Sequence, residues 1–202
     1  MNGIAVTLSE VSRILKDLNL HFALIGGLAV SVRTEPRFTR DIDLAVAVSG
    51  DPQSEQVLHQ LQNRGYLIKA IVEQEAVQRL ATSRLQPPAQ PPEGLIVDLL
   101  FASSGIETEI VQEATNLEVF HGLHLPVCRS GHLLALKVLA RDDVRRPQDL
   151  IDIRALLKNI SQAELDLAYT ALRLITQRQF HRGRDLISAL DQLLAEQSQS
   201  SR

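Results

Sequence analysis

The stretch from residue 25 to residue 46 constrains the fold of this chain more than any other part of its sequence. A short apolar run stops at Gly26 and Gly27, which is the pattern of a buried strand that enters a tight turn. Further along, Asp41 and Asp43 stand two residues apart at the start of a second apolar run. Because residues i and i+2 point to the same face of a strand, these two carboxylates are predicted to project side by side.

A third aspartate, Asp98, lies inside the apolar residues 95–101. A carboxylate in such a strand is costly unless it is paired or coordinates a metal ion. If this strand lies beside the strand of Asp41 and Asp43, all three carboxylates converge. They would then raise one another's pKa unless a cation lay between them, and oxygen ligands of this kind suit Mg²⁺ or Mn²⁺. Three carboxylates can hold two ions about 3.5–4 Å apart, which is the arrangement for in-line phosphoryl displacement.

The glycine pair predicts a phosphate site next to these carboxylates. Gly26 and Gly27 let the backbone approach a phosphate closely, and the helix that follows points its free N–H groups at that phosphate. Taken alone, an Asp-x-Asp pair is usually a solvated strand end, and a Gly-Gly pair is usually only a turn. Together, in this order and followed by Asp98, they favour a site for metal and phosphate.

The other patterns indicate an α+β front part and an all-helical back part. Residues 86–92 are rich in proline and are interpreted as a hairpin loop, because strand-like sequence lies on both sides. We predict a core over residues 1–128 and a C-terminal helical region over 129–202 that packs on it. Strands are predicted at 22–25, 40–48, 66–72, 95–101 and 123–127, and helices at 7–18 (with a capping box of Thr7 and Glu10), 28–32, 55–64, 107–114, 130–140, 147–157, 161–177 and 184–197.

Composition limits the classes of protein. Of the 202 residues, 45% are hydrophobic and only one is cysteine, so a core is expected and an internal disulfide is excluded. No apolar run approaches the ~20 residues of a membrane span, and no signal sequence is visible, so a cytoplasmic location without membrane contact is expected. A net charge of −3 argues against broad coating of nucleic acid.

The ordered set of motifs resembles the polymerase-β-like nucleotidyltransferases, and in detail the AbiEii/AbiGii-type family of abortive-infection and toxin–antitoxin systems. The resemblance extends over roughly residues 8–160. The segments that carry it are Gly26-Gly27-Leu28-Ala29, Arg37-Phe38-Thr39-Arg40-Asp41-Ile42-Asp43, Val97-Asp98-Leu99-Leu100, Leu136-Lys137-Val138-Leu139-Ala140 and Arg145-Arg146-Pro147-Gln148-Asp149-Leu150-Ile151-Asp152.

This resemblance implies a small mixed β-sheet flanked by helices. It also implies transfer of a nucleoside monophosphate from NTP, with Mg²⁺ (or Mn²⁺), to an acceptor hydroxyl or phosphate. RNA is an acceptor in toxin-type relatives, and a protein partner in a toxin–antitoxin pair is a further expectation; tRNA, protein, antibiotic and small metabolite stay open as acceptors. The implied catalytic and metal-binding residues are Asp41, Asp43 and Asp98, and the implied nucleotide-binding residues are Gly26, Gly27, Lys137 and Arg40.

One departure from the family pattern supports a different function. The family often has serine after the first glycine, whereas Gly27 stands at that position. Loss of this hydroxyl favours a non-catalytic binding or antitoxin-like partner module with the same fold, while retention of all three aspartates favours the enzyme. The basic cluster of Arg178, Arg182 and Arg184 is interpreted as a solvated helix end in preference to an RNA contact.

Lys137 has two possible roles. Its helix segment, residues 133–140, is apolar nearly all round, so the lysine is expected to be buried and must be neutral, snorkelling or paired. Asp149 and Asp152 are three residues apart on the next predicted helix and are candidate partners. Lys137 could hold a nucleotide phosphate, as the resemblance implies, or join two helices as a buried ion pair, and both roles can hold together.

Overall fold

A computed structural model describes residues 3–74, 78–91 and 94–200. These residues form seven strands and eight helices. The strands are β1 (His21–Ile25), β2 (Asp41–Ala47), β3 (Leu67–Gln74), β4 (Arg79–Gln86), β5 (Ile96–Leu100), β6 (Thr115–Phe120) and β7 (Leu123–Val127). The helices are α1 (Gly3–Asp17), α2 (Gly26–Arg33), α3 (Asp51–Gln62), α4 (Glu107–Gln112), α5 (Ser130–Ala140), α6 (Pro147–Leu157), α7 (Gln162–Gln177) and α8 (Leu186–Ser200).

All seven strands form one mixed sheet with the order β3-β4-β5-β2-β1-β7-β6. The β2–β5 and β1–β7 pairs are parallel, and the other neighbours are antiparallel. Strand β2 lies at the centre between β1 and β5, which explains why its sequence is apolar apart from the two aspartates. The predicted α+β class with a small mixed sheet is confirmed.

Helix α5 anchors the helical part of the chain. It is buried on almost all sides, as its apolar sequence predicts, and it packs on α6 and α7. Gly131 allows the contact with α7, because a Cβ there would collide with the carbonyl oxygen of Glu164. One hydrophobic core extends from Leu8 to Leu193 and includes both predicted parts, so the division at residue 128 stays a prediction.

Several elements differ from the sequence prediction. Helix α1 begins at Gly3, so Thr7 is a buried residue inside the helix and the predicted capping box with Glu10 is wrong. Strands β4 and β6 were not assigned from the sequence. The proline-rich loop joins the antiparallel strands β4 and β5, as expected for a hairpin, although Pro92 and Glu93 lie outside the described residues. In the described ranges, no helix is both long and apolar enough to cross a membrane.

Candidate active site

The three aspartates lie on two neighbouring parallel strands. Asp43 of β2 is the register partner of Asp98 of β5, which places their Cα atoms about 4.8 Å apart. Asp41 lies two residues before Asp43 and therefore on the same face of β2. The expectation that these strands are side by side is confirmed, and the roles of the three carboxylates in catalysis and metal binding stay predictions.

The carboxylates act on one another electrostatically. Burial raises the pKa of Asp43 from 3.8 to about 7, and the charges of Asp98 and Asp41 add to this rise. The positive charges of Lys137 and Arg146 oppose this rise. A negative charge on Asp43 is thus unfavourable, and a bound cation would relieve its repulsion by Asp98 and Asp41.

Asp98 is a buried carboxylate paired with Arg84, its cross-strand neighbour on β4. Arg84 Nε donates to Oδ1 at 2.9 Å, and Nη2 donates to Oδ2 at 2.6 Å. This two-pronged contact raises the pKa of Arg84 and explains how an apolar strand tolerates Asp98. It also directs both Asp98 oxygens toward a guanidinium.

A divalent cation fits the donor chemistry of Asp41 and Asp43. Both side chains are half-buried, and neither carboxylate has a hydrogen-bond or ion-pair partner among the residues that the structure describes. Hard oxygen ligands of this kind suit Mg²⁺. Within the same residues, however, no group of three His, Cys, Asp or Glu side chains is arranged to hold a metal ion. The contact with Arg84 explains this absence, because it engages both oxygens of Asp98, the third carboxylate of the predicted metal site.

Gly26 brings the start of α2 against Asp43. Its φ is +65°, a conformation that side chains disfavour, and a Cβ at this position would collide with Asp43 Oδ2. The glycine therefore allows a close approach, and the group that approaches in this structure is the Asp43 carboxylate. The phosphate role of the Gly26 turn stays a prediction.

Gly27 makes room for Arg37. A Cβ on Gly27 would collide with Arg37 Nη2. The guanidinium is held there by Asp152: Nη2 donates to Oδ2 at 2.8 Å, and Nε lies 2.7 Å from Oδ1. Where the resembled family often has serine, this chain has a guanidinium over a glycine.

Gly27→Ser is expected to reduce the free energy of unfolding by about 1–3 kcal/mol, the usual effect of overpacking. The added side chain must displace Arg37 or strain the turn. Removing the obstacle with Arg37→Ala should reduce the effect of the serine, so the two substitutions should be non-additive. Urea denaturation of the four proteins of this cycle measures the coupling, and additive losses would contradict the contact.

Lys137 is buried and ion-paired with both predicted partners. Its Nζ lies 2.7 Å from Asp149 Oδ1 and 2.8 Å from Asp152 Oδ2. The same two carboxylates also bind Arg146, at 3.2 Å from Asp149, and Arg37. Three cations thus share two anions, and this cluster carries a net charge of about +1 next to Asp43.

One cleft is lined both by Asp43 and by the cation cluster of Lys137 and Arg146. Its volume is about 140 Å³, below the ~300–1,000 Å³ of a site that encloses a whole small molecule. It brings together three of the predicted residues, Gly26, Asp43 and Lys137. Its walls also include Arg146 and Arg182, which the sequence did not single out for the site.

Arg40 lies elsewhere. It is exposed, its guanidinium lies 5.6 Å from the centroid of the Phe38 ring, and it lines a separate cavity of about 390 Å³. Arg40 precedes the first residue of β2, and it does not line the cleft that Asp43 and Lys137 share. Its predicted role in nucleotide binding stays a prediction.

Comparison with solved structures shows the fold. An antigenic nucleotidyltransferase-like protein from Paracoccidioides brasiliensis is 22% identical over 92% of this chain and 91% of its own, with a TM-score of 0.51. The antibiotic-resistance factor ANT(2'')-Ia, in its solution structure, is 16% identical over 90% of this chain and 98% of its own, with a TM-score of 0.57. A crystal structure of ANT(2'')-Ia in complex with adenylyl-2''-tobramycin gives a TM-score of 0.54 at 13% identity, over 83% and 95% of the two chains.

Sequence comparison shows the family. No curated protein sequence matches the chain. A family model does match, over residues 11–201, and its description is "Nucleotidyl transferase AbiEii toxin, Type IV TA system". The resemblance carried by the glycine pair and the three aspartates is thereby confirmed, and the chain belongs to the AbiEii nucleotidyltransferase family.

Proposed function

We propose that this protein transfers a nucleoside monophosphate from NTP to an acceptor, with Mg²⁺ (or Mn²⁺) as the metal. One observation carries the proposal: Asp43 lies beside Asp98 on the adjacent parallel strand and against the Gly26 turn, and it lines the same cleft as Lys137. Carboxylates for a cation, with positive charge in the same cleft, are what a metal-bound polyphosphate needs. Residues Asp41 and Asp43 would hold the metal, with Asp98 completing the site.

The bound metal would supply charge neutralisation at the reacting phosphate. The chain's own residues do the rest. The N-terminus of α2 at Gly26 orients N–H groups toward a phosphate. Asp98 is the candidate acceptor of the proton from the attacking hydroxyl, and for this at least one of its oxygens must leave Arg84.

The Arg84 contact also favours the alternative function. With both oxygens of Asp98 engaged, the site could persist as a non-catalytic binding or antitoxin-like module. Two unpartnered half-buried carboxylates, Asp41 and Asp43, support the enzyme more strongly, because a module without a cation would keep their repulsion without benefit.

Incubation with labelled NTP, Mg²⁺ and total RNA or protein from a lysate tests the proposal. A label on the α-phosphate should appear in a macromolecule or small acceptor, and a label on the γ-phosphate should not. Asp41→Asn should remove the transfer. Transfer of the γ-label would indicate a different phosphoryl transfer, and absence of any transfer with all four NTPs would favour the non-catalytic module.

The family description supports a choice of acceptor and partner to test. Because the matching family is described as a toxin of a type IV TA system, we propose RNA as the acceptor to test first. A protein antitoxin as partner and a location in the cytoplasm, where NTP is present, go with the same proposal.

A further inference from the structure

The cleft contains one cation that the proposed reaction has not used. Arg182 lines it together with Gly26 and Asp43. Its side chain has no hydrogen bond or ion pair with any residue that the structure describes, whereas Lys137 and Arg146, which line the same cleft, are paired with acids. A guanidinium that meets a cleft without a counter-ion is available to an anionic ligand.

The loop that carries Arg182 is held in place on both sides. Phe180 is buried against Gly105, where any side chain would collide with the ring. Arg184 Nη1 donates to the carbonyl oxygens of Leu139 at 3.0 Å and Arg141 at 3.2 Å, at the end of α5. These contacts tie the loop to the segment after β5 and to the helix of Lys137.

Between these anchors, Arg182 adopts an unfavourable backbone conformation. Its φ is +54°, in the left-handed region that arginine rarely occupies. Such a residue persists only where its surroundings determine its conformation, and residues of this kind cluster at functional sites. The position of Arg182 over the cleft is therefore maintained by the fold at a cost.

The local charge favours an anion. Arg37, Lys137 and Arg146 share only Asp149 and Asp152, so the cluster that contributes Lys137 and Arg146 to the cleft is already net positive before Arg182 is counted. Partial burial lowers the pKa of Arg182, and repulsion from Arg146 and Arg184 lowers it further. Arg182 therefore adds to the cleft a positive charge that Asp149 and Asp152 do not balance.

We infer that Arg182 binds the phosphate groups of the nucleotide, holding the end of the polyphosphate away from Asp43. The inference rests on the proposed function and adds a binding residue from the loop between α7 and α8, outside the motif segments that carry the family resemblance. The cleft's 140 Å³ accommodate phosphate groups better than a whole nucleotide. A phosphate of the acceptor is the other source of the same chemistry.

Calorimetric titration with pyrophosphate and with a non-hydrolysable NTP, in Mg²⁺ and without acceptor, tests this inference. Arg182→Gln should weaken both ligands about tenfold or more, as expected for loss of a charge-assisted contact. A nucleoside monophosphate should be affected less. The matched control is Arg173→Gln, an exposed arginine on α7 whose guanidinium lies 5.8 Å from the Tyr169 ring centroid; it should bind like the wild type.

Arg182→Gly separates binding from folding. Glycine adopts positive φ without strain, so its melting temperature should equal or exceed that of the wild type, while polyphosphate binding should fall as in Arg182→Gln. Unchanged pyrophosphate and NTP affinities in both variants would overturn the inference and leave the proposed function standing. If Arg182→Gln reduced only the binding of an RNA acceptor, the phosphate would be the acceptor's and the inference would be wrong. A wild-type protein that binds neither ligand would overturn both.

Discussion

Asp43→Asn is expected to abolish nucleotidyl transfer and, in the metal-free protein, to increase the free energy of unfolding at neutral pH. Transfer should fall at least about a thousandfold, because the charge stabilisation that a metal contributes amounts to several kcal/mol. Stability should rise because asparagine keeps the shape of the side chain and removes a charge that burial, Asp98 and Asp41 all disfavour. The same carboxylate would thus serve the reaction and destabilise the fold.

The stability effect has a defined pH dependence. The pKa of Asp43 is about 7 in the folded protein against an ordinary 3.8. The folded state therefore binds this proton more tightly than the unfolded chain. Stability from this group is fully present below pH about 4 and is lost as pH rises toward 7. The difference between the two pKa values sets an upper bound of about 4 kcal/mol at higher pH.

Urea denaturation of the wild type and Asp43→Asn at pH 5 and pH 8, in a chelator, measures this effect. The advantage of the asparagine should grow with pH. Mg²⁺ should raise the melting temperature of the wild type and have little effect on the variant. Asp17→Asn is the control, since Asp17 belongs to an exposed i,i+4 pair with Arg13 and should change stability little. Equal stabilities at both pH values would contradict the repulsion, and retained transfer would contradict the catalytic role.

The placement of Asp41 and Asp43 on the strand next to that of Asp98 was predictable because it depends on local rules. Strand parity places Asp41 and Asp43 on one face, and the cost of a lone carboxylate in an apolar strand indicated that Asp98 needed a partner. The helices of the C-terminal part were predictable for the same reason: their apolar periodicity, together with the Ser161 cap that accepts from the Glu164 N–H, marks their bounds.

The arginines that contact or face the site were not predictable from local rules. Arg84 faces Asp98 only because β4 pairs with β5 in one register, and residues 79–86 mix polar and apolar side chains without clear alternation. Arg37 and Arg182 come from irregular segments whose paths are set by contacts with distant residues, Asp152 and Gly105 among them. Contacts between side chains that are far apart along the chain leave no periodic pattern in a single sequence.

Lys137→Met is expected to reduce the free energy of unfolding by about 3 kcal/mol, toward the lower end of the 3–5 kcal/mol typical for loss of one partner of a buried ion pair. Methionine keeps most of the volume and removes the charge that Asp149 and Asp152 both contact. Those carboxylates keep Arg146 and Arg37 as partners, which is why the loss should not reach the upper end. Urea denaturation measures it.

Two further variants identify the cause. Lys158→Met removes an exposed lysine whose Nζ lies 3.6 Å from Glu35, and it should cost less than about 1 kcal/mol. Asp149→Asn removes a carboxylate that Lys137 and Arg146 both contact, so its effect and that of Lys137→Met should be non-additive in the double variant. A loss below about 1 kcal/mol in Lys137→Met itself would contradict the structural ion pair.

Measuring NTP affinity in the folded Lys137→Met protein distinguishes a role of Lys137 in nucleotide binding from its structural role. Lys137 lines the cleft beside Gly26 and Asp43, so its ammonium can contact a phosphate while it bridges two carboxylates. If it does, NTP affinity should fall about tenfold or more in Lys137→Met, because charge-assisted contacts contribute about 1.5–3 kcal/mol. An unchanged NTP affinity in a folded Lys137→Met protein would leave the lysine as a purely structural link between α5 and α6. The phosphates would then depend on the Gly26 turn and on Arg182.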